Sequence, residues 1–495
     1  MSRGIEKSLI ALTVSGVLIA PSAFATNGYF AHGYSTKEKG LAGAGVAYSQ
    51  DAMSVANNPA GIAFMGERMD IGAALFSPSR SYTTSGNQVV PDGTGGFIDP
   101  AGFPVSAFCP PNAPQCQPPF TVGNGGESID SDNELFLIPH FAYNWKLDSD
   151  SAIALAIYGN GGMNTEYQLS EGPTATGLAP NPSATGFADS FTIQQTPGTF
   201  GAGEAGVDLI QVFFNISYAQ KIGNKSSWGA GVILAYQRFK ATGLAGFSGF
   251  SEDPANLTNK KGHDASSGLG VKLGWQGEVV SDVALGVSYQ SKIFMSEFDD
   301  YAGLFAEGGD FDIPATASIG LAWDTSSKTK LVFDIQTIFY SDVAAISNPI
   351  GNLTNGSCLD GLNASFNAGG VPTPASGTGC LGGANGAGFG WDDMTIVKLG
   401  YQWGDDTIWR VGLSHGTNPI PDTETLFNIL APAVIDTHLT GGFTMPLDSS
   451  SEISFSAMYA LTNDVSGANP FDGGATTIEL EMNQFEVQAT YSMMF

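Results

Sequence analysis

The sequence predicts an all-β fold, a transmembrane antiparallel β-barrel of about 14 strands with an N-terminal plug segment in its lumen. Three observations predict it. The C-terminal segment alternates apolar and polar residues up to a terminal aromatic. The N-terminus reads as an export signal, yet no later stretch is apolar enough to span a membrane as a helix. The connections between strand-like segments alternate between short and long.

From Phe485 onward, Phe485, Val487, Ala489, Tyr491, Met493 and Phe495 alternate with Glu486, Gln488, Thr490 and Ser492. That period of two puts one apolar face on a strand. A barrel needs such a closing strand, because its last strand pairs with its first and leaves no edge. The competing reading is a terminal strand of a soluble sandwich. At the other end, Arg3 and Lys7 precede the apolar run Leu9 to Ala20, about 12 residues and too short for a helical span. Ala23-Phe24-Ala25 then offers a small-x-small cleavage pattern. The expectation is a signal peptide over 1–25, a plug over 26–67 and a barrel over 68–495. A buried N-terminal helix is the alternative for the first of these.

Charged residues are only 13% of the chain, beside 65 Gly and 32 Phe. Few charges with many glycines and aromatics suit strands that face lipid on one side and a packed lumen on the other. The net charge of −28 argues against a nucleic-acid partner, whose binding rests on Lys and Arg neutralising phosphate. Acidity is expected on extracellular loops, without the ligand spacing of a metal site. The four cysteines fall as two local pairs in Pro/Gly/Asn-rich sequence, Cys109 with Cys116 and Cys358 with Cys380. In an exported chain these read as two loop disulfides.

Strand-like segments begin near Arg68, Glu134, Ser151, Val207, Trp228, Ser267, Asp282, Ile313, Lys330, Met394, Thr407, Val434, Glu452 and Thr477. Short turns are expected at 148–150, 223–225, 277–278, 325–327, 404–406 and 448–450. Long loops are expected at 80–133, 167–206, 243–265, 299–312, 341–391, 416–433 and 462–476. Short turns on one side and long loops on the other are the pattern of an outer-membrane barrel. Parity sends Leu135, Leu137, Phe141, Tyr143 and Trp145 to the lipid, and likewise Leu269, Val271, Leu273 and Trp275. It sends Lys272, Lys292, Lys398, Arg410, His140, His438, Asp334, Asp436 and Glu486 inward.

Further motifs run through the chain in order. They include Gly43-Ala44-Gly45 with Asp51, Asn58-Pro59-Ala60, Ile138-Pro139-His140-Phe141 and Tyr158-Gly159 leading to Glu166-Tyr167. Later come Gly286-Val287-Ser288-Tyr289-Gln290-Ser291-Lys292, Lys398-Leu399-Gly400-Tyr401-Gln402-Trp403 and Trp409-Arg410-Val411-Gly412. With the terminal Phe, the chain resembles the FadL/TodX family of outer-membrane transporters for long-chain fatty acids and aromatic hydrocarbons. The resemblance covers nearly the whole mature chain. It implies a 14-stranded barrel closed by an N-terminal hatch, here carrying Asn57, Asn58, Pro59, Ala60 and Gly61. It also implies hydrophobic sites and a kinked third strand that releases substrate sideways into the membrane. Gly159, Asn160, Gly161 and Gly162 occupy the kink position. Glycine inside a strand marks a bulge or kink, although this cluster also reads as the end of the strand.

The residence implied is the outer membrane of a Gram-negative bacterium, as a monomeric multi-pass barrel among lipid and lipopolysaccharide, inserted by the barrel assembly machinery. No cofactor and no metal are implied. Lys292 and Arg410, followed by Lys398 and His140, are the ligand candidates: a cation in an apolar pocket favours a bound carboxylate. The competing reading, expected for most of these groups, is a polar network fastening barrel to hatch. No nucleophile elbow, phosphate loop or zinc spacing appears in a workable context, so no catalytic residues are expected. A non-transporting surface barrel (an adhesin or phage receptor) and a general porin remain as alternatives.

Overall fold

The computed structural model describes residues 27–495, apart from most of 87–125 and of 355–376, 169–173, 181–190, 258–260, and residues 473 and 475. Fourteen long strands form one closed antiparallel barrel. In chain order they are β1 (Arg68–Gly86), β2 (Phe136–Lys146), β3 (Ser151–Tyr167), β4 (Ala205–Ile222), β5 (Ser226–Thr242), β6 (Asp264–Val280) and β7 (Val283–Gln290). There follow β8 (Thr316–Ser326), β9 (Thr329–Ile338), β10 (Met394–Gly404), β11 (Ile408–Gly416), β12 (Thr437–Pro446), β13 (Ser451–Ala468) and β14 (Thr476–Met494). Each pairs with its neighbour in sequence, and β14 closes on β1 from Arg68↔Met494 to Gly86↔Thr476. Two short strands, Ser128–Asp130 and Phe294–Met295, add to the sheet, and Thr174–Pro180 pairs with Phe191–Pro197 as a separate hairpin.

Every barrel strand begins within three residues of its sequence-predicted start. Three connections differ from expectation. The turn expected at 277–278 lies at Ser281–Asp282, because β6 runs on to Val280 past a register shift, and Asp282 takes a φ of +70°. Strand β1 extends to Gly86 and β13 to Ala468, so their hairpin partners rise above the positions read as loop. Both extensions are rich in Ser, Thr and Asn, which masks a strand once it leaves the apolar band.

The wall is two-faced. Leu137, Val232, Leu234, Leu269, Val271, Leu273, Val411 and Leu413 are large apolar residues exposed on its outside. Their alternate neighbours are buried in the lumen. Such a surface suits a bilayer, and closure leaves the sheet without an edge strand. Trp228↔Trp275 and Trp403↔Trp409 are directly opposed near the short turns, as in an interfacial aromatic girdle. No helix among the described residues is long and apolar enough to cross a membrane. At the closing seam the Phe495 amide donates to the Glu67 carbonyl at 3.0 Å, and its ring lies 5.9 Å from Tyr143.

Candidate transport path

Residues 27–66 lie inside the ring of strands and are almost wholly buried. A short helix, Thr36–Lys39, is capped by Ser35, whose hydroxyl accepts from the Lys37 amide. Two 3₁₀ turns follow, Ala52–Ala56 and Pro59–Phe64. Asp51 and Ser54 form a reciprocal cap on the first, and Asn58 caps the second. Proline at the first position of the second turn donates nothing where nothing is required.

Asn58 explains the Asn-Pro-Ala motif. Its side-chain oxygen accepts from the Ala60 amide at 3.0 Å, while its nitrogen donates to the Val46 carbonyl at 2.7 Å and to the Trp275 carbonyl of β6 at 3.1 Å. One buried amide thus caps a turn, ties the segment to itself and ties it to the wall. Neighbouring carbonyls are held as well: Ser288 donates to Asn57, Ser227 to Ala60, and Lys272 to Ala56. A Cβ on Gly61 would lie 1.7 Å from the Ser49 hydroxyl, so only glycine fits there.

The opposite side is fastened by charge. Asp334 on β9 accepts from the Gly45 and Val46 amides at 2.7 and 3.0 Å. Lys39 pairs with Glu486 at 2.7 Å, both nearly inaccessible. Arg68 bridges Asp70 and Glu452, and Lys37 joins them at Glu452. The wall also makes room: a Cβ on Gly274 would meet the Asn58 side-chain oxygen at 2.0 Å, and one on Gly286 the Val46 carbonyl at 2.2 Å.

None of the four ligand candidates is left without a partner. Arg410 donates to Gln402, to Thr444 and to Gln50 of the inner segment. Lys398 donates to the His32 carbonyl at 3.1 Å, and His140 lies 2.8 Å from the Thr490 hydroxyl. Lys292 departs from its predicted mid-strand place. It lies beyond the end of β7, where its ammonium pairs with Asp312 at 2.9 Å and sits over the Phe294 ring. The parity rule was applied two residues past the point where strand geometry stops.

Strand β3 runs through the glycine cluster to Tyr167, and its register against β4 shifts between Gly159 and Gly161, leaving Asn160 as the extra residue. On its other edge, pairing with β2 stops at Phe141↔Ile157, although β2 continues to Phe136 against β1. Higher up, the Asp132 amide donates to the Glu166 carbonyl. Between those two points, β3 and β2 share no ladder. Phe141, Ile157, Ile210 and Val212 have outward parity there yet are at most 4% exposed. They pack as one apolar cluster in a dent of the outer wall.

The inner mouth of this interruption is occupied. Phe30 bridges Gly161, the Ala31 amide donates to the Asn160 carbonyl at 2.9 Å, and the Gly162 amide donates to the Tyr29 carbonyl at 3.0 Å. Asn160 is tied to Tyr34 and to Gln211 through its side chain. None of the three glycines has a positive φ; Gly161 serves close approach, since its Cβ would meet the Tyr29 carbonyl at 2.0 Å.

Above the inner segment, the long-loop half holds a cavity of about 40 Å³. Val207, Phe239, Leu304, Phe305, Phe389 and Leu430 are among its lining residues. An aromatic chain joins it to the interruption: Phe389 to Trp391 at 6.1 Å, Trp391 to Tyr29 at 6.0 Å, and Tyr29 to Phe30 at 5.1 Å. Sequence reasoning missed this line because its members come from segments hundreds of residues apart. Beside the cavity, Cys358 and Cys380 are joined as a disulfide with Cα atoms 4.7 Å apart. Cys109 and Cys116 lie outside the described residues.

No family model and no curated protein matches the chain. Solved structures do. The toluene transporter TodX of Pseudomonas putida aligns over 94% of this chain and 99% of its own, at 15% identity and a TM-score of 0.58. A FadL homologue of Pseudomonas aeruginosa gives the same coverage and identity with a TM-score of 0.57. The toluene transporter TbuX of Ralstonia pickettii covers 94% and 99% at 14% identity, with a TM-score of 0.51. The chain shares their fold over 94% of its length.

Proposed function

We propose that the protein is an outer-membrane channel that takes up small hydrophobic molecules and releases them sideways into the bilayer. It is a conduit rather than an enzyme. The observation that carries this reading is the interrupted pairing of β2 and β3. The interruption has an apolar dent outside, the Tyr29–Phe30 segment inside, and an aromatic chain leading to it from an apolar cavity. The fold shared with the toluene transporters TodX and TbuX supports it.

The route follows from transfer energetics. A hydrophobic molecule gains about 0.8 kcal/mol per CH₂ by staying out of water. A straight path to the periplasm would cross the polar contacts that hold residues 36–61 to the wall. A path along Phe389, Trp391 and Tyr29 stays apolar to the dent. It requires that residues 27–31 leave their backbone bonds to β3, the Tyr340 hydroxyl on the Asn27 carbonyl and their aromatic packing on Tyr340, while the capped, ion-paired remainder stays in place as a hatch. An adhesin has no use for such a line, and a general porin would not fill its lumen.

Deleting Asn160 tests the route. Removing the extra residue makes the β3–β4 register continuous, straightens β3 and lets it pair with β2 above Ile157. Uptake of radiolabelled toluene by cells should fall to background while heat-modifiable gel mobility shows a normal folded yield. Undiminished uptake by the folded deletion variant would overturn the lateral route.

A further inference from the structure

We infer that Gln211 and Gln237 are positioning residues that couple the 291–315 loop to the bulge of β3, through a relay of buried side-chain amides. This inference rests on the channel reading and adds what holds the lateral mouth shut and what releases it.

The relay runs in one direction. The Tyr34 hydroxyl donates to the Asn160 side-chain oxygen at 2.9 Å. The Asn160 side-chain nitrogen donates to Gln211 at 2.9 Å, Gln211 to Gln237 at 3.0 Å, and Gln237 to the Phe311 carbonyl at 2.8 Å. The other Gln237 proton reaches the Ser266 hydroxyl at 3.5 Å. Strand register aligns the crossings, because Gln211 lies opposite Gly161 on one side and Gln237 on the other. The chain of bonds starts in the inner segment, crosses β3, β4 and β5, and ends in the loop between β7 and β8.

Apolar packing alone would not place amides there. Gln211 stands between Leu209 and Phe213 on the inward face of β4, and Gln237 between Ala235 and Phe239 on that of β5. All six are at most 3% exposed. A lone amide in an apolar column is costly unless its groups are paired. Linked head to tail, the amides polarise one another, and losing one member leaves the next unsatisfied. The relay therefore acts as one unit.

Both ends sit on parts that the channel reading moves. Asn160 is the extra residue of the β3 bulge, and its carbonyl accepts the Ala31 amide at the inner mouth. The loop supplies Leu304 and Phe305 to the cavity wall, and the Phe311 ring packs on Phe305 at 4.8 Å. A guest that displaces Phe311 takes its carbonyl away from Gln237. The relay then loosens back to Asn160, and the bulge is free to part from Ala31. A direct contact, Phe311 on Tyr29 at 6.3 Å, is a competing route between the same two parts.

Hydrogen exchange of the folded protein in lipid nanodiscs separates the two routes. The Ala31 and Gly162 amides report on the mouth, and the Ile293 and Ile313 amides, each bonded to the other's carbonyl, report on the loop. The Gly45 and Val46 amides, held by Asp334 on the opposite side, are the control. Gln237→Met cuts the loop end and should speed the mouth amides at least about tenfold while the control stays unchanged. Tyr34→Phe cuts the other end and, because coupling is reciprocal, should speed the loop amides. The double variant should exchange within about twofold of the faster single variant, since one cut already undoes the unit. In a Gln211→Met background, Tyr34→Phe should no longer reach the loop. Gln211→Asn and Gln237→Asn, too short to bridge, stand in should a Met variant not fold. Effects that multiply in the double variant, control amides that speed up equally, or loop amides that still respond with Gln211 cut would each overturn the relay. Toluene uptake by cells carrying the parent protein tests the channel separately: its absence removes the channel reading, while the exchange data decide the relay.

Discussion

Replacing Asn58 by alanine should unfasten the segment inside the barrel. The side chain is fully buried and makes three hydrogen bonds, to the Ala60 amide and to the Val46 and Trp275 carbonyls. Losing an N-cap of this kind costs about 1 kcal/mol. The Val46 carbonyl is left buried without its donor, at about 1–3 kcal/mol. The Trp275 carbonyl belongs to a wall strand, so its loss is counted as small. Together these come to about 2–4 kcal/mol, and 3 kcal/mol raises the open population of the segment roughly 100-fold at 1.4 kcal/mol per decade. Single-channel recording in planar bilayers reads that population directly, as the fraction of time spent conducting. Asn58→Asp separates the contributions, because it keeps the cap oxygen and loses both donated bonds. It keeps the cap worth about 1 kcal/mol, but its second carboxylate oxygen faces the Val46 and Trp275 carbonyls, so it should open the channel at least as much as alanine does. An open fraction within about twofold of the parent in both variants would show that Asn58 does not hold the segment, and the hatch assignment would fail with it.

Other outcomes follow from single contacts. Lys39→Met leaves Glu486 buried without its cation, which costs about 3–5 kcal/mol, and adding Glu486→Gln should recover much of it in urea unfolding. Asp310, in the loop after β7, has its carboxyl pushed up to about 7, first by burial and then by the adjacent Asp312, with Lys292 opposing. A raised carboxyl binds its proton more tightly in the folded state. This site's stability contribution is therefore full below the ordinary carboxylate range and declines as pH rises toward about 7, after which it is flat. Asp310→Asn should remove that slope from thermal melts between pH 4 and about 7; an unaltered slope would count against it. Deleting Phe495 removes the amide that bonds Glu67 and the ring beside Tyr143, and should lower folded yield on heat-modifiable gels.

The barrel was readable in the sequence because its two faces see different solvents. Lipid on one side and a packed lumen on the other force alternation at each strand position, so Leu269, Val271 and Leu273 announce β6 without any knowledge of its neighbours. Where a strand leaves the apolar band, as in β1 beyond Arg80 and β13 beyond Leu461, the alternation fades and the boundary could not be seen. Local sequence also carried the Cys358–Cys380 pairing, a short-range event. Only the tertiary structure decided what the inward residues do. Lys398 and Arg410 look alike in sequence to a ligand-binding cation, and which role they take depends on which buried carbonyl or amide comes within 3 Å. Gly161 likewise reads as a bend, whereas its missing side chain makes room for Tyr29 from the far end of the chain. Periodicity encodes which way a residue faces, and only the closed barrel brings together what it then meets.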